Sequence, residues 1–517
     1  MARTGSNPAA AAVSVVSLLV LLGVLGIVLF VAERSPLKDD IAWLLYVARR
    51  WMGGRALYTD LIEVNPPLII WISAVPIMLA HWLNVDAQLV AIPMFVAIVV
   101  ACAWWSSCLL RIAGGIFADH WPVFALIGSV LLLVPAGDLG QREHLLVGAM
   151  LPYLVLFARE MDGGRPSFGA AVAAGILAGL GCALKPRYAG VFVVLECLAL
   201  TGDLRPWRLM PIMAVVTLVG YAGFVAVVCP AYLWRAVPMA LALYGATDVT
   251  FTHLLSDSAV LIAEEAVAIW LLWIRRRQMA EFRLMQALVV FAATSSLIFL
   301  VTGKDWYYHR LPATIATMLA LILWAVSESG RRGWQMRLPL IVATVAVAVF
   351  CVRSVQRMEP ALAEAAAPGN TTEAHLEKII RTEHARTYVA FSEWLALGFP
   401  VVNATGVAWA SRFDSMWALR GEVWRAKFDP ATARNWPVAR WVADDFIAGC
   451  PDIVVVDVLG RTNYIKVLGE GNSDFSRLWS RYRPIAAFDG LVVYRRRHGG
   501  CPVVRMAAAL TSKRPLR

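Results

Sequence analysis

The sequence predicts a polytopic all-α membrane domain followed by a small water-soluble α/β domain, and three observations lead there. Of 517 residues, 59% are hydrophobic and only 16% are charged, where an ordinary soluble domain carries roughly a quarter charged residues. The deficit is uneven, with apolar blocks and short polar hinges alternating up to about residue 352. Beyond that point strand-like and loop-like patterns mix as they do in water-soluble chains. The expected division is therefore 1–353 for the membrane domain and 354–517 for the soluble one. The linker falls near Ala361–Thr372, which is rich in Ala and carries Pro368, Gly369 and Asn370.

A membrane-crossing helix needs about 20 apolar residues. Candidate spans begin near Ala12, Pro67, Gln88, Pro122, His144, Phe168, Tyr188, Leu209, Ser258, Gln286, Leu311 and Leu338. The run from Ala12 to Ala32 is longer than a signal-peptide core and has no convincing cleavage site, so an uncleaved first helix is expected. The basic loops Arg275–Arg283 and Arg331–Arg337 belong on the cytoplasmic side. Counting outward from them puts 33–66, 138–144, 185–188, 230–257, 303–310 and the C-terminal domain on the outer side. Between Pro67 and Gly137 there is one apolar segment more than this parity allows, and Pro122–Pro135 is the weakest of them. About eleven spans are expected.

The net charge of +11 does not point to nucleic acid, because the basic residues flank apolar spans, where they fix orientation. Cys102, Cys108, Cys182, Cys197, Cys229 and Cys351 lie in apolar segments and read as packing residues. No zinc-type ligand spacing appears. Cys450 and Cys501 are the pair available for a disulfide if the soluble part faces an oxidising compartment.

Parity, argued from loops without chemistry, places every unusual polar cluster on one side. Ionisable groups near membrane depth cost about 2.5–3.5 kcal/mol each on insertion scales, so they tend to mark function. Lys38-Asp39-Asp40 opens an amphipathic stretch suited to the membrane interface. Acids there also suit a helix N-terminus, and one of them is placed to act as general base on an acceptor hydroxyl. Asp138 to His144, with Arg142 and Glu143, crowds the mouth of a span. Lys185-Pro186-Arg187-Tyr188 is a tight turn with two cations. Lys304-Asp305-Trp306-Tyr307-Tyr308-His309-Arg310 interleaves cations with aromatics, as an amphipathic phosphate ligand requires. Each cluster also has an ordinary reading, as a salt-bridged loop, as snorkelling cations or as an aromatic belt. Together they offer acids for base chemistry and separate cations for an anion.

The run from Asp39 through Gly53-Gly54-Arg55-Ala56-Leu57-Tyr58 to Asn65-Pro66-Pro67-Leu68 resembles the first external loop of the GT-C superfamily, of the protein O-mannosyltransferase and aminoarabinose transferase type. Asp138, Lys185 and Tyr308–Pro312 are weaker echoes. The resemblance implies an inverting glycosyltransferase that takes a sugar from a polyprenyl-phosphate donor and delivers it outside the inner (plasma) membrane. It implies Asp39 or Asp40 as base, with Asp138 a further acid of the site. It implies Lys185, Arg187, Lys304, His309 and Arg310 as donor-phosphate ligands. Arg142, Glu143, His144, Tyr58, Glu63, Asn65 and Tyr308 are the candidate acceptor or substrate contacts. The expected partners are a polyprenyl-phosphate-linked sugar, membrane lipid, and a glycan, lipid or protein acceptor, with no metal, cofactor or nucleic acid. The family often has Asp-Glu where this chain has Asp39-Asp40, and Gln141–His144 is no part of its general pattern. A transporter or flippase of lipid-linked sugars, or a polymerase or ligase of lipid-linked glycans, remains an alternative.

In the C-terminal region, Pro400–Asn403, Ile453–Asp457 and Gly490–Tyr494 are expected strands, with helices between them. Asp457 reads as an ordinary strand-end acid.

Overall fold

The computed structural model describes residues 8–112, 115–202, 204–205, 207–275, 281–329, 337–460 and 462–497. Most of the two orienting loops, 276–280 and 330–336, lies outside them. The first helices are α1 (Pro8–Arg34), α2 (Asp39–Met52), α3 (Pro67–Leu83), α4 (Ala87–Arg111), α5 (His120–Leu133), α6 (Arg142–Met161) and α7 (Phe168–Leu184). They are followed by α8 (Gly190–Leu200), α9 (Leu209–Val228), α10 (Val237–Leu243), α11 (Phe251–Arg275), α12 (Phe282–Thr302), α13 (Leu311–Glu328) and α14 (Arg337–Ala366). Among the described residues, seven helices are long and apolar enough to cross a membrane, and α3, α5 and α7 are shorter apolar helices.

The chain forms two compact units. The first gathers residues up to Ser35, Asn65–Val228 and Asp248–Ala367; the second gathers Pro36–Val64, Cys229–Thr247 and the chain from Pro368 on.

In the first unit α6 is the central helix, packed by α4, α7, α12 and α13. The burial of its apolar stretch is 89%, against 17% for α1 and α9. Helices as apolar as α1 and α9 do not leave such a surface to water; a bilayer accommodates it, since their backbone groups are satisfied internally. The 14 residues of α5 rise only about 21 Å, short of the ~30 Å hydrocarbon core. This is the segment that parity had marked as weakest. Small residues let α7 approach α9. A Cβ on Gly175 would stand 2.5 Å from the Met210 carbonyl oxygen, and one on Gly179 would stand 2.8 Å from Thr217 Cβ.

In the second unit the helices α15 (Thr372–Thr382), α16 (Val401–Thr405), α17 (Trp417–Arg425), α18 (Pro430–Asn435), α19 (Val438–Gly449), α20 (Tyr464–Gly471) and α21 (Ser473–Trp479) surround a five-stranded sheet. Its strands are β1 (Thr387–Phe391), β2 (Ala408–Trp409), β3 (Ile453–Asp457), β4 (Tyr482–Phe488) and β5 (Leu491–Arg496), in the order β2-β1-β3-β5-β4. The first three run parallel, while β5 is antiparallel to both β3 and β4. The strands expected at 453–457 and 490–494 are present. The run Pro400–Asn403 is a correction: it enters α16, because an apolar stretch this short fits a buried helical turn as well as a strand. The β4–β5 hairpin turns on Asp489-Gly490, both with positive φ (50° and 73°), the geometry that favours this dipeptide. Cys450 is disulfide-bonded, while Cys501, its expected partner, lies outside the described residues.

Candidate functional site

Three turns of the first unit that parity placed on one side meet in space. The first leads into α6, its reversal built from positive φ at Ala136 and Gly140. It carries Glu143, whose side chain is completely buried. The second is the break between α7 and the 3-10 turn Pro186–Ala189, where Lys185 caps both elements and Pro186 opens the second. The third is the 3-10 turn Tyr307–Arg310, which leads into α13 through Pro312.

Glu143 is the centre. Its Oε1 lies 3.1 Å from Lys185 Nζ, 3.4 Å from Arg187 Nη2 and 2.6 Å from His309 Nδ1. Arg187 Nη2 is also 3.0 Å from His309 Nδ1, and its Nη1 donates to Thr302 Oγ1 at 3.0 Å. Tyr188 holds the third turn by donating its hydroxyl to the His309 carbonyl at 3.2 Å. Arg142 Cζ and Lys185 Nζ approach the Tyr308 ring to 5.9 and 6.0 Å. Burial, followed by the Arg142 guanidinium, pushes the Lys185 ammonium down to about 7, against the pull of Glu143.

Other expected residues have different surroundings. His144 is buried between a hydrogen bond from the Gly140 amide to Nδ1 at 3.1 Å and a contact of Nε2 with the Leu131 carbonyl at 2.8 Å. These bonds fix the turn before α6. Lys304 is ion-paired with Asp248, and Arg310 with Asp305 and, at 2.6 Å, Asp257. These two cations are already matched by acids. Asp138 is buried in the 3-10 turn Ala136–Asp138. Asn65 lies just before α3 in the first unit.

Asp39 and Asp40 belong to the second unit, in the first turn of α2. The capping reading is only partly met: Lys38 holds the N-cap position and makes no side-chain cap hydrogen bond, leaving dipole compensation to the acids. Burial, and then the neighbouring charge of Asp40, raise the pKa of Asp39 above its ordinary value. Glu63 is buried and accepts from Trp43 Nε1 at 2.5 Å and from the Val64 amide at 2.7 Å. Tyr58 is fully buried at positive φ (66°), with its ring 5.3 Å from that of Tyr232.

Sequence reasoning missed Asp414. Desolvation, and then the Glu63 carboxylate, hold it well above the usual carboxylate range, with Asp40 adding to the shift. Trp417 Nε1 donates to it at 2.9 Å. The Ile62 amide donates to the Arg412 carbonyl at 2.8 Å, so the segment 36–64 and the C-terminal chain are stitched together beside these acids. Nothing around Arg412-Phe413-Asp414-Ser415 is a motif; only the fold reveals the grouping.

The structure is similar to the crystal structure of ArnT from Cupriavidus metallidurans bound to undecaprenyl phosphate, with a TM-score of 0.52 and 13% identity over 92% of this chain and 97% of that one. The fold is ArnT-like. ArnT from the same organism in the apo state matches with a TM-score of 0.49, 13% identity and the same coverage. No family profile and no curated relative matches the sequence. The ArnT-like fold agrees with the architecture expected from composition and hydropathy, an all-α membrane domain and a small α/β domain.

Proposed function

We propose that the chain is an inverting glycosyltransferase that moves a sugar from a polyprenyl-phosphate donor to a glycan, lipid or protein acceptor on the outer side of the inner membrane. The observation that carries this reading is the convergence of Arg142, Lys185 and Arg187 about one buried carboxylate, Glu143. Lys185 and Arg187 both pair with Glu143, so positive charge exceeds that of this carboxylate when Lys185 is protonated. A phosphodiester donor carries one negative charge; the released polyprenyl phosphate approaches two near neutral pH, as its second pKa is about 6. The site therefore complements the leaving group better than the bound donor, and the difference accelerates bond cleavage.

In the proposed step the acceptor hydroxyl oxygen attacks the anomeric carbon. The bond from that carbon to the phosphate oxygen breaks, and its electron pair leaves with the phosphate. Asp39 or Asp40 takes the hydroxyl proton. A single displacement inverts the anomeric centre. The disulfide at Cys450 supports an oxidising, extracytoplasmic location for the second unit.

The test is titration of the purified protein with undecaprenyl phosphate. Lys185→Gln removes a charged contact worth ~1.5–3 kcal/mol, so affinity falls about 10–100-fold. Unchanged affinity would remove the cluster from phosphate recognition.

A further inference from the structure

The second unit contains a cavity of about 220 Å³ that the reading above does not use. One wall comes from α2 and the turn after it, through Tyr46, Arg50, Arg55 and Asp60; the other comes from the chain just after β2, through Ser411 and Arg412, and from α19, through Asp445. The charges are not equivalent. Arg412 is held by Asp445 through bonds of 3.1 Å and 3.0 Å from Nε and 2.7 Å from Nη2. Asp60 Oδ2 accepts from the Ala56 amide at 3.2 Å. Arg50 instead lies against the Tyr46 ring, its Cζ 5.8 Å from the centroid. Arg50 and Arg55 both line the cavity with Tyr46. The Tyr46 ring packs against Trp43 and Phe399 and backs the Arg50 guanidinium, whose fork suits a saccharide bearing a carboxylate or phosphate, groups that arginine grips in a bidentate manner.

The position is as informative as the chemistry. Tyr46 and Arg50 follow Asp40 on the same helix, about 9 and 15 Å along its axis at 1.5 Å per residue. A hydroxyl presented at the acids and an anionic group in the cavity would thus belong to one short oligosaccharide.

We infer that the cavity lined by Tyr46, Arg50 and Arg55 is an acceptor subsite for an anionic saccharide. This deepens the transferase reading and rests on it for the word acceptor. The binding itself is tested without turnover. The full-length protein in lipid nanodiscs is titrated calorimetrically with trigalacturonic acid, with maltotriose monophosphate and with neutral maltotriose. At least one anionic trisaccharide binds ~10-fold or more tightly than the neutral one, the gain of a charge-assisted contact. The preferred anion identifies the group recognised. Arg50→Gln abolishes the difference, whereas Arg50→Lys, which keeps the charge but not the fork, retains part of it. Thermal unfolding of each variant at the wild-type midpoint establishes that the fold is intact. Equal binding of charged and neutral sugars, or full anionic preference in Arg50→Gln, overturns the subsite. Lack of sugar transfer from any donor would count against the transferase reading alone, because this titration needs no donor.

Discussion

Glu143 and Lys185 stand 3.1 Å apart, and the charge on the lysine decides how tightly an anion binds beside it. With its pKa pushed to about 7, Lys185 is protonated below that value and loses its charge as pH rises through it. The phosphate takes on its second charge near pH 6, so affinity for undecaprenyl phosphate peaks between about pH 6 and 7 and declines between about pH 7 and 9 as Lys185 loses its proton. Binding an anion raises the lysine pKa, so the complex takes up protons, which calorimetry in buffers of different ionisation enthalpy detects. Glu143 acts in the opposite sense to burial and Arg142, holding the Lys185 pKa up. Removing that charge in Glu143→Gln shifts the midpoint of the binding profile to lower pH. A midpoint that stays in place would show that Glu143 does not set the lysine charge. At this scale the sequence was informative about residue type and silent about pairing. The cluster 138–144 announced itself by charge density, but its division into an organising Glu143 and a fold-fixing His144 depends on contacts over 100 residues away in sequence, such as Glu143 with His309. Lys304 and Arg310 looked as available as Lys185, and only the fold shows Asp248, Asp257 and Asp305 beside them.

The helices were legible because each apolar block is long and uniform, and the ends were legible because Pro and Gly punctuate them. The starts expected near Pro67, Phe168, Leu209 and Leu311 coincide with those of α3, α7, α9 and α13. The C-terminal strands were less so. The fully buried run Ile453–Asp457 stands out, whereas Thr387–Phe391, which pairs with it as β1, has no turn signal of comparable strength. Packing between elements was not legible in advance. The contact of α7 with α9 depends on Gly175 and Gly179, one turn apart, where any side chain meets the facing helix. Gly179→Val overpacks that contact and lowers stability by ~1–3 kcal/mol. Thermal unfolding in detergent measures it, and an unchanged midpoint would mean that the two helices separate without consequence.

For the molecule as a whole, the second unit is assembled from three stretches of chain, Pro36–Val64, Cys229–Thr247 and the region after Pro368. Tyr58 against Tyr232, the Ile62–Arg412 hydrogen bond, and Arg425 Nε donating to the Ala242 carbonyl at 2.7 Å join all three. Such an assembly is invisible to composition, because each insertion is short and each contact is distant in sequence. The resemblance carried by 39–68 nevertheless led to the right fold, since that stretch carries the acid pair, α2 and the Pro-Pro turn in a fixed order. One acid of this pair is proposed as the general base, a role worth roughly 10²–10⁴ in rate. The measurement that tests it most directly is sugar transfer in membranes from radiolabelled polyprenyl-phosphate sugars, comparing wild type with Asp39→Asn and Asp40→Asn at equal protein level. One of the two variants is expected to lose transfer by about that factor while still binding undecaprenyl phosphate; wild-type rates in both would show that neither acid is the base.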